Sequence, residues 1–380
     1  MPESAVSAAK PRILWLPASV LTITPILALV LVPWHIATHG VNPWLIVACF
    51  AFLATNGMSI TAGYHRLWAH GTYKAHPILK WALALFGAAA TQNSILVWAS
   101  GHRRHHKHVD DNDNDPYSAN RGFWFSHIGW MLRDYPTGKY DFSNATDLQR
   151  DPVVMFQHRH YLALTLAMNF IPAILVGWML GDVWGGIIWV GIVRLVLSHH
   201  FTFFINSLAH MWGKRPYTDT NTARDNPWLA FLTWGEGYHN FHHFFQHDYR
   251  NGVRPWEFDP TKWAIFAASK VGLATDLVRT DAFKIQRALL EMQFKQAQSH
   301  LVATGNSEKW RLALEHEYQQ FMSHLHEWNT VRQQWYEHKR QQLAQKAAHL
   351  QTALQGRLLE LENALRQQRR RVRSLTLQFA

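Results

Sequence analysis

The chain has 380 residues with one cysteine, 25 histidines, 19 tryptophans and a formal net charge of +11. A lone cysteine excludes an intrachain disulfide, a four-cysteine zinc site and a thiolate-held iron–sulfur cluster. The basic balance fits a cytosolic face that meets anionic lipid or an acidic partner, and the long apolar runs argue against nucleic acid as that partner.

Residues 1–12 read as a short cytosolic N-terminus, followed by a membrane domain over residues 13–280. Four stretches approach the roughly 20 apolar residues that a bilayer requires: about 13–33, 44–63, 161–181 and 184–205. The fourth is the least apolar, since it contains Arg194, His199 and His200. Many tryptophans lie beside these runs, as interfacial belts do. The first run ends on Pro33-Trp34-His35 without a small-x-small cleavage site, so no cleavable signal peptide is expected. A fifth stretch, about 78–99, contains Gln92, Asn93 and Ser94, and its pattern predicts an amphipathic or re-entrant helix on the cytosolic side.

The loops orient these spans. Lys10 and Arg12 precede the first span, and Arg66, Lys74, Lys80, Arg103, Arg104 and Lys107 follow the second. The connections from His35 to Pro43 and through Gly181-Asp182-Val183 carry neither Lys nor Arg. The positive-inside rule then places both termini in the cytosol. Residues 281–380 read as an amphipathic helical tail, which from about Ser307 to the end is one or two long helices or a coiled coil, with Leu343, Leu350, Leu354, Leu358, Leu361 and Leu365 as its apolar positions. Near its end, the basic run Arg369-Arg370-Arg371 is suited to anionic headgroups or to solvent.

Three histidine clusters fall on the cytosolic side of this scheme: His65-x4-His70, His102-x2-His105-His106 and His239-x2-His242-His243. An H-x-x-H-H string is expected by chance about a tenth of a time in such a chain, and it occurs twice. Helical positions i, i+3 and i+4 share a face, so each string aims three imidazoles at one point. Neutral imidazole is a good ligand for iron, zinc and copper. His65 and His70, five apart, diverge on a continuous α-helix; they converge if the second span ends near His65 and the chain turns at the membrane surface. Asn206 and His210 lie four apart at the end of span 4, and read alone they are interfacial polarity or a further ligand with a water-holding amide. His199 and His200 lie too deep to join them, and packing or substrate contact is expected there. The run from Asp110 to Asp115 fails as a calcium loop, with Pro116 and Gly122 where Gly and Glu are needed. It reads as a solvated loop that also holds groups behind the ligand histidines.

Gly63-Tyr-His65-Arg-Leu-Trp-Ala-His70, His102-Arg-Arg-His105-His106-Lys107, Arg121-Gly-Phe-Trp-Phe-Ser-His-Ile-Gly-Trp130, Asn206-Ser-Leu-Ala-His210 and Gly235-Glu-Gly-Tyr-His239-Asn-Phe-His242-His243 together resemble the stearoyl-CoA-type integral membrane fatty acid desaturases. The resemblance covers roughly residues 15–260 and leaves the tail from about 285 without a counterpart. It implies an all-α membrane fold: four transmembrane helices capped by a helical cytosolic domain that carries a histidine-rich di-iron site. The implied iron ligands are His65, His70, His102, His105, His106, His210, His239, His242 and His243, with Asn206 acting through a water. Gln92, Asn93, Trp98, Thr202 and Phe203 match the family's acyl-chain positions.

The implied chemistry is O2-dependent desaturation of a saturated C16–C18 acyl chain to a cis-Δ9 monoene, with two irons as cofactor. Two electrons per turnover come from a separate ferredoxin, rubredoxin or cytochrome with its reductase, since the chain has no flavin, haem or iron–sulfur motif. Ser100-Gly101 stand where animal members have an Arg-Asp pair that grips CoA, and a second basic pair is reduced to Arg133-Asp134, so both CoA and phospholipid remain open as acyl carriers. A membrane lipid or alkane hydroxylase is the main alternative. A metal transporter would place polar ligands inside the spans rather than beyond them.

Overall fold

The computed structural model describes residues 11–304, 308–342 and 349–378. They form two compact units, divided between residues 280 and 281. The regular secondary structure of the first is helical except for a single antiparallel pair of two-residue strands among the described residues, β1 (Lys74–Ala75) and β2 (Ala274–Thr275).

Four of its helices are long and apolar enough to cross a membrane: α1 (Trp15–His39), α2 (Pro43–Ala69), α6 (Tyr161–Met179) and α7 (Val183–Met211). Their outward faces carry large apolar side chains, such as Leu16, Leu29, Phe50, Leu162 and Trp178, as lipid-facing helices require. The first span does not stop at Pro33 but runs on to His39, since a transmembrane helix tolerates an internal proline when neighbours satisfy the freed backbone. Gly40, at φ +76°, ends α1, and the Asn42 side chain accepts from Trp44 N at 3.0 Å to start α2. Helices α6 and α7 approach through glycines. A Cβ on Gly186 would stand 2.3 Å from Ala173 O and 2.7 Å from Gly177 Cα, so no larger residue fits without separating them.

The stretch over 78–99 is not one helix. It is α3 (Pro77–Ala88) and α4 (Ile95–His108), separated by a turn in which Thr91 and Asn93 take φ of +54° and +76°. Such left-handed residues cannot sit inside an α-helix, and Ser94 caps the new one by accepting from Val97 N. Arg194, buried in α7, supports this turn by donating to Ala89 O at 2.8 Å and to the Asn169 amide oxygen, while His199 Nε2 meets Ala90 O at 3.1 Å. The polar residues that weaken span 4 as a sequence pattern are thus paired within the protein. The remaining helices of this unit that bear on the site are α5 (Pro152–Arg159), α8 (Pro227–Leu232), α9 (His239–Phe244) and α10 (Pro260–Lys270).

The second unit contains α11 (Ala282–Thr304), α12 (Glu308–Gln342) and α13 (His349–Gln378) around its own core, which includes Leu290, Phe294, Phe321, Trp328, Leu361 and Val372. Phe283 stacks on Trp328 at 4.2 Å and 9°. From residue 308 onward the described residues form two long helices, α12 and α13, and α11 precedes them as a third. Leu361 is in that core, with Leu358 and Leu365 packed against it. Leu343 and the side chain of Leu350 lie outside the described residues.

Gly186→Leu should overpack the α6–α7 contact and cost about 1–3 kcal/mol. Thermal unfolding in detergent tests this, and an unchanged midpoint would contradict the close approach.

Candidate metal centre

The site begins where α2 changes character. Its last eleven residues, Ser59–Ala69, form a π-helix, and the backbone N–H of His70 reaches His65 O at 3.1 Å. A π-turn closes over five residues instead of four. Residues five apart therefore stand nearly above one another, and the His65 and His70 ring centroids are 4.8 Å apart. The expectation that the helix ends near His65 is corrected: it continues to Ala69, and widening does what a chain reversal was expected to do.

Helix α4 carries His102, His105 and His106 on one face, and α9 carries His239, His242 and His243. His210 comes from the last turn of α7. The nine imidazoles fall into two sets, His65, His70, His102, His106 and His242 in one and His105, His210, His239 and His243 in the other, with the nitrogens of each set within 4.8 Å of one another. Both α4 and α9 serve both sets. Seven of the nine rings are buried. His106 and His243, one from each set, keep partial exposure and stack at 4.3 Å and 15°.

The donor chemistry fits metal binding. Nε2 faces Nε2 at 2.9 Å for His65–His242 and His70–His102, 3.0 Å for His242–His106 and His243–His239, and 3.1 Å for His239–His210. Two nitrogens bound at right angles to an ion about 2.1 Å away would stand about 3.0 Å apart. The opposite ring nitrogens are tethered: His65 Nδ1 to Glu236 at 2.9 Å, His105 Nδ1 to Asp115 at 2.9 Å, His102 Nδ1 to Tyr117 OH at 3.2 Å and His210 Nδ1 to Thr222 Oγ1 at 2.8 Å. Such tethers hold the Nδ1–H tautomer and leave Nε2 to bind. In the Asp110–Asp115 loop only residues 112–114 are exposed, and Asp110 accepts from Thr222 N at 2.7 Å and from Thr222 Oγ1 at 2.6 Å, behind His210. Asp115 turns inward, fully buried, and also accepts from Asp110 N and Tyr117 N.

Glu236 is itself held. Arg66 donates to Glu236 Oε1 at 3.0 Å, to both Asp259 oxygens at 3.0 and 3.1 Å and to Tyr249 O at 2.8 Å, and Asn251 donates to Glu236 Oε2 at 2.7 Å. Burial pushes the Glu236 carboxyl up, but His65 and Arg66 outweigh it and hold the group below the usual glutamate range. Arg66 and Glu236 flank the histidine clusters in sequence and are legible there as part of the motifs. Asp259 is not, since its only local signal is a helix cap before Pro260, where it accepts from Lys262 N.

The other expected site residues are distributed differently. Gln92 donates to Thr202 Oγ1 at 2.8 Å, and Trp98 stacks on His102 at 4.8 Å and 23°. Asn93 turns away, its backbone N–H donating to Tyr161 OH and its amide approaching Tyr140 OH at 3.5 Å. Phe203 is buried against His199 and His127, outside both imidazole sets. His199 and His200 belong to neither set. Asn206 and His210 do not share one continuous helical face, because the helix is interrupted at Ser207 (φ −109°, ψ −76°). Asn206 is half-buried, and its amide makes no hydrogen bond with the described residues.

Burial, and then mutual proximity, hold His70, His102, His106, His239, His242 and His243 well below the ordinary imidazole value of 6.5. Neutral imidazoles are the binding-competent form. An imidazole depressed in the folded state loses stability as pH falls below its unfolded value, because the unfolded chain then takes up protons that the folded one refuses. Asp225, pushed from 3.8 up to about 7 by burial, has the opposite sign, with stability present below 3.8 and lost as pH rises through that window. One carboxyl against six imidazoles leaves the imidazoles dominant. The metal-free protein should therefore lose thermal stability from about pH 6.5 downward, and a midpoint that rises on acidification would refute the neutral cluster. Arg66→Met should strand two buried carboxylates at a cost of about 3–5 kcal/mol, read as reduced folded yield and reduced metal per chain by elemental analysis.

The family described as Fatty acid desaturase matches residues 42–274, a range that holds all nine of these histidines. The chain is 42% identical to "Probable acyl-CoA desaturase" of Schizosaccharomyces pombe over 74% of this chain and 58% of that protein. It is 44% identical to "Acyl-CoA desaturase 1" of Saccharomyces cerevisiae over 70% of this chain and 52% of that one. It is 36% identical to "sn-2 palmitoyl-lipid 9-desaturase" of Nostoc over 70% of this chain and 91% of that protein. The alignments thus span little more than half the length of the two yeast relatives.

Proposed function

The chain belongs to the fatty acid desaturase family, and on that premise we propose that it is an integral membrane enzyme that introduces a cis double bond, at the ninth bond, into a saturated C16–C18 acyl chain. The observation that carries this reading is the pair of buried imidazole sets at the ends of apolar spans, with nine inward-facing nitrogens. An unactivated methylene C–H is beyond the reach of side-chain acid–base chemistry, so the hydrogen must be removed by an oxidant. The balance is one –CH2–CH2– unit, O2, two electrons and two protons giving –CH=CH– and two waters. Iron held by His65, His70, His102, His106 and His242, and by His105, His210, His239 and His243, would supply the O2-derived oxidant.

The protein's own residues position and protect. Glu236 and Asp115 fix His65 and His105 with Nε2 inward. Gln92 and Thr202, hydrogen-bonded to each other, and Trp98, stacked on His102, shape the approach to the first set. Asn206, whose amide makes no hydrogen bond with the described residues, is assigned the water-holding role. Electrons come from a separate carrier protein on the cytosolic side, where the positive-inside pattern places both termini and all three histidine clusters. The acyl carrier is CoA or a phospholipid. Ser100 does not project toward a headgroup: it is buried, donating to Asp141 O and Asn144 Oδ1.

The test is the fatty-acid profile of cells expressing the chain together with a compatible electron donor, with double bonds located by mass spectrometry. A new Δ9 monoene that vanishes in His105→Ala and His242→Ala, with both variants still membrane-inserted, is the expected result. Hydroxylated products would replace the desaturase reading with the hydroxylase one, and turnover retained in either variant would remove that histidine from the site. Labelled acyl-CoA supplied to isolated membranes then separates the carriers.

A further inference from the structure

His127 belongs to neither imidazole set, yet it is 3% exposed and both of its ring nitrogens are engaged. It lies on a single π-turn, Phe125–Gly129, in the segment between α4 and α5. Its Nδ1 stands 3.0 Å from the Ser207 hydroxyl, and its Nε2 stands 3.1 Å from Nδ1 of His200. The ring is packed against Phe123 at 5.2 Å and Phe204 at 4.9 Å.

Proton counting gives the direction of each bond. Burial, with His200 beside it, holds His127 down to about 4, so the ring is neutral at physiological pH and carries one N–H. The Ser207 hydroxyl has one proton, which it donates to Phe203 O at 2.9 Å. Its oxygen therefore accepts from His127 Nδ1–H, and His127 Nε2 accepts from His200. The bonds run one way, from His200 through His127 to Ser207 and into the backbone of α7.

Ser207 is also where α7 is interrupted. Its hydroxyl and its own N–H, the latter at 3.2 Å, both donate to Phe203 O, and such back-bonding bends a helix. Beyond it, His210 N reaches Ser207 O at 3.1 Å, three residues back rather than four. His210 follows the interruption and belongs to the second imidazole set, whereas the first set, His65, His70, His102, His106 and His242, contains no residue of α7.

We propose that His127 is a positioning residue for one of the two metal ions: its Nδ1–H, donated to Ser207, fixes the interruption in α7 and so sets His210 against His105, His239 and His243. The proposal rests on the reading of the two sets as an iron pair. Losing a hydrogen bond that orients a metal ligand from behind weakens metal binding by about 10- to 100-fold. Two substitutions separate the ring nitrogens. An asparagine nitrogen occupies the place of Nδ1, one bond beyond Cγ, and donates to Ser207. A glutamine nitrogen reaches the place of Nε2 and leaves Ser207 without its donor.

The experiment loads the full-length protein with isotope-enriched ferrous iron in the absence of oxygen, titrates it with a chelator, and follows the two ions as separate Mössbauer doublets. The wild type should hold one iron for each set, and His210→Ala identifies the doublet of the second set. His127→Gln and Ser207→Ala should weaken that ion by about 10- to 100-fold and leave the other unchanged. His127→Asn and Ser207→Thr, which keep the donor and the acceptor, should hold both ions as the wild type does. Both ions held normally in His127→Gln and Ser207→Ala would overturn the proposal. Equal loss of both ions, or an asparagine variant no better than the glutamine one, would overturn it too. Where the glutamine variant does not insert, Ser207→Ala and Ser207→Thr decide by the same readout. A wild type that holds no iron would remove the metal-centre reading itself, and this inference with it.

Discussion

A single guanidinium organises the centre of the membrane unit. Arg66 is 1% exposed and contacts Glu236, Asp259 and the Tyr249 carbonyl, which lie 170, 193 and 183 residues away in sequence. Charges withdrawn from water are tolerated only when paired and hydrogen-bonded. Here both carboxylates meet the one guanidinium, while the backbone N–H of buried Lys262 donates to Asp259 and its ammonium to the carbonyls of Gly252, Arg254 and Glu257. Satisfying all of these groups leaves few arrangements for the end of α2, the loop before α9 and the start of α10. That restriction brings His65 and His242, from opposite ends of the unit, to 2.9 Å.

The same logic operates along the spans. A helix in lipid can be irregular only where protein, rather than lipid, satisfies the backbone. The π-segments in α2 and α7, the left-handed turn between α3 and α4 and the break at Ser207 all obey this rule. Each irregularity redirects side chains. The π-segment aligns His65 with His70, the turn brings Gln92 to Thr202, and the break lets His210 meet His239 at 3.1 Å. Glycines at 177 and 186 permit the tight α6–α7 contact from which α7 can make these departures.

The unit formed by residues 281–380 follows different rules. Its core is made of aromatic and aliphatic residues from three helices, and a well-buried amide, that of Gln368, is satisfied by Glu317 Oε2 at 2.8 Å and Gln320 Oε1 at 3.0 Å. Exposed ion pairs such as Arg357–Glu327 and Arg311–Glu308 decorate its surface and add little to stability. Packing of three amphipathic helices around a shared core accounts for its composition.

The sequence by itself determined the local features: four apolar runs, because bilayer thickness sets their length, and two histidine triplets, because i, i+3 and i+4 share a helical face. It also named Gln92, Thr202 and Trp98 through a family likeness, though not what they would touch. Tertiary structure decided everything that depends on a choice between nearly equal local states. Whether residues 59–69 wind as an α- or a π-helix is a small difference in backbone energy, settled by the Arg66 contacts and by the imidazoles that must face one another. Trp234's left-handed backbone, at φ +57°, is unfavourable alone and is held by Thr261, which donates to its carbonyl, and by the close contact of its indole with Gly57. Asp259 carries no local mark beyond a helix cap, since its partner is 193 residues distant. Local patterns encode which side chains share a face; only packing decides which faces meet.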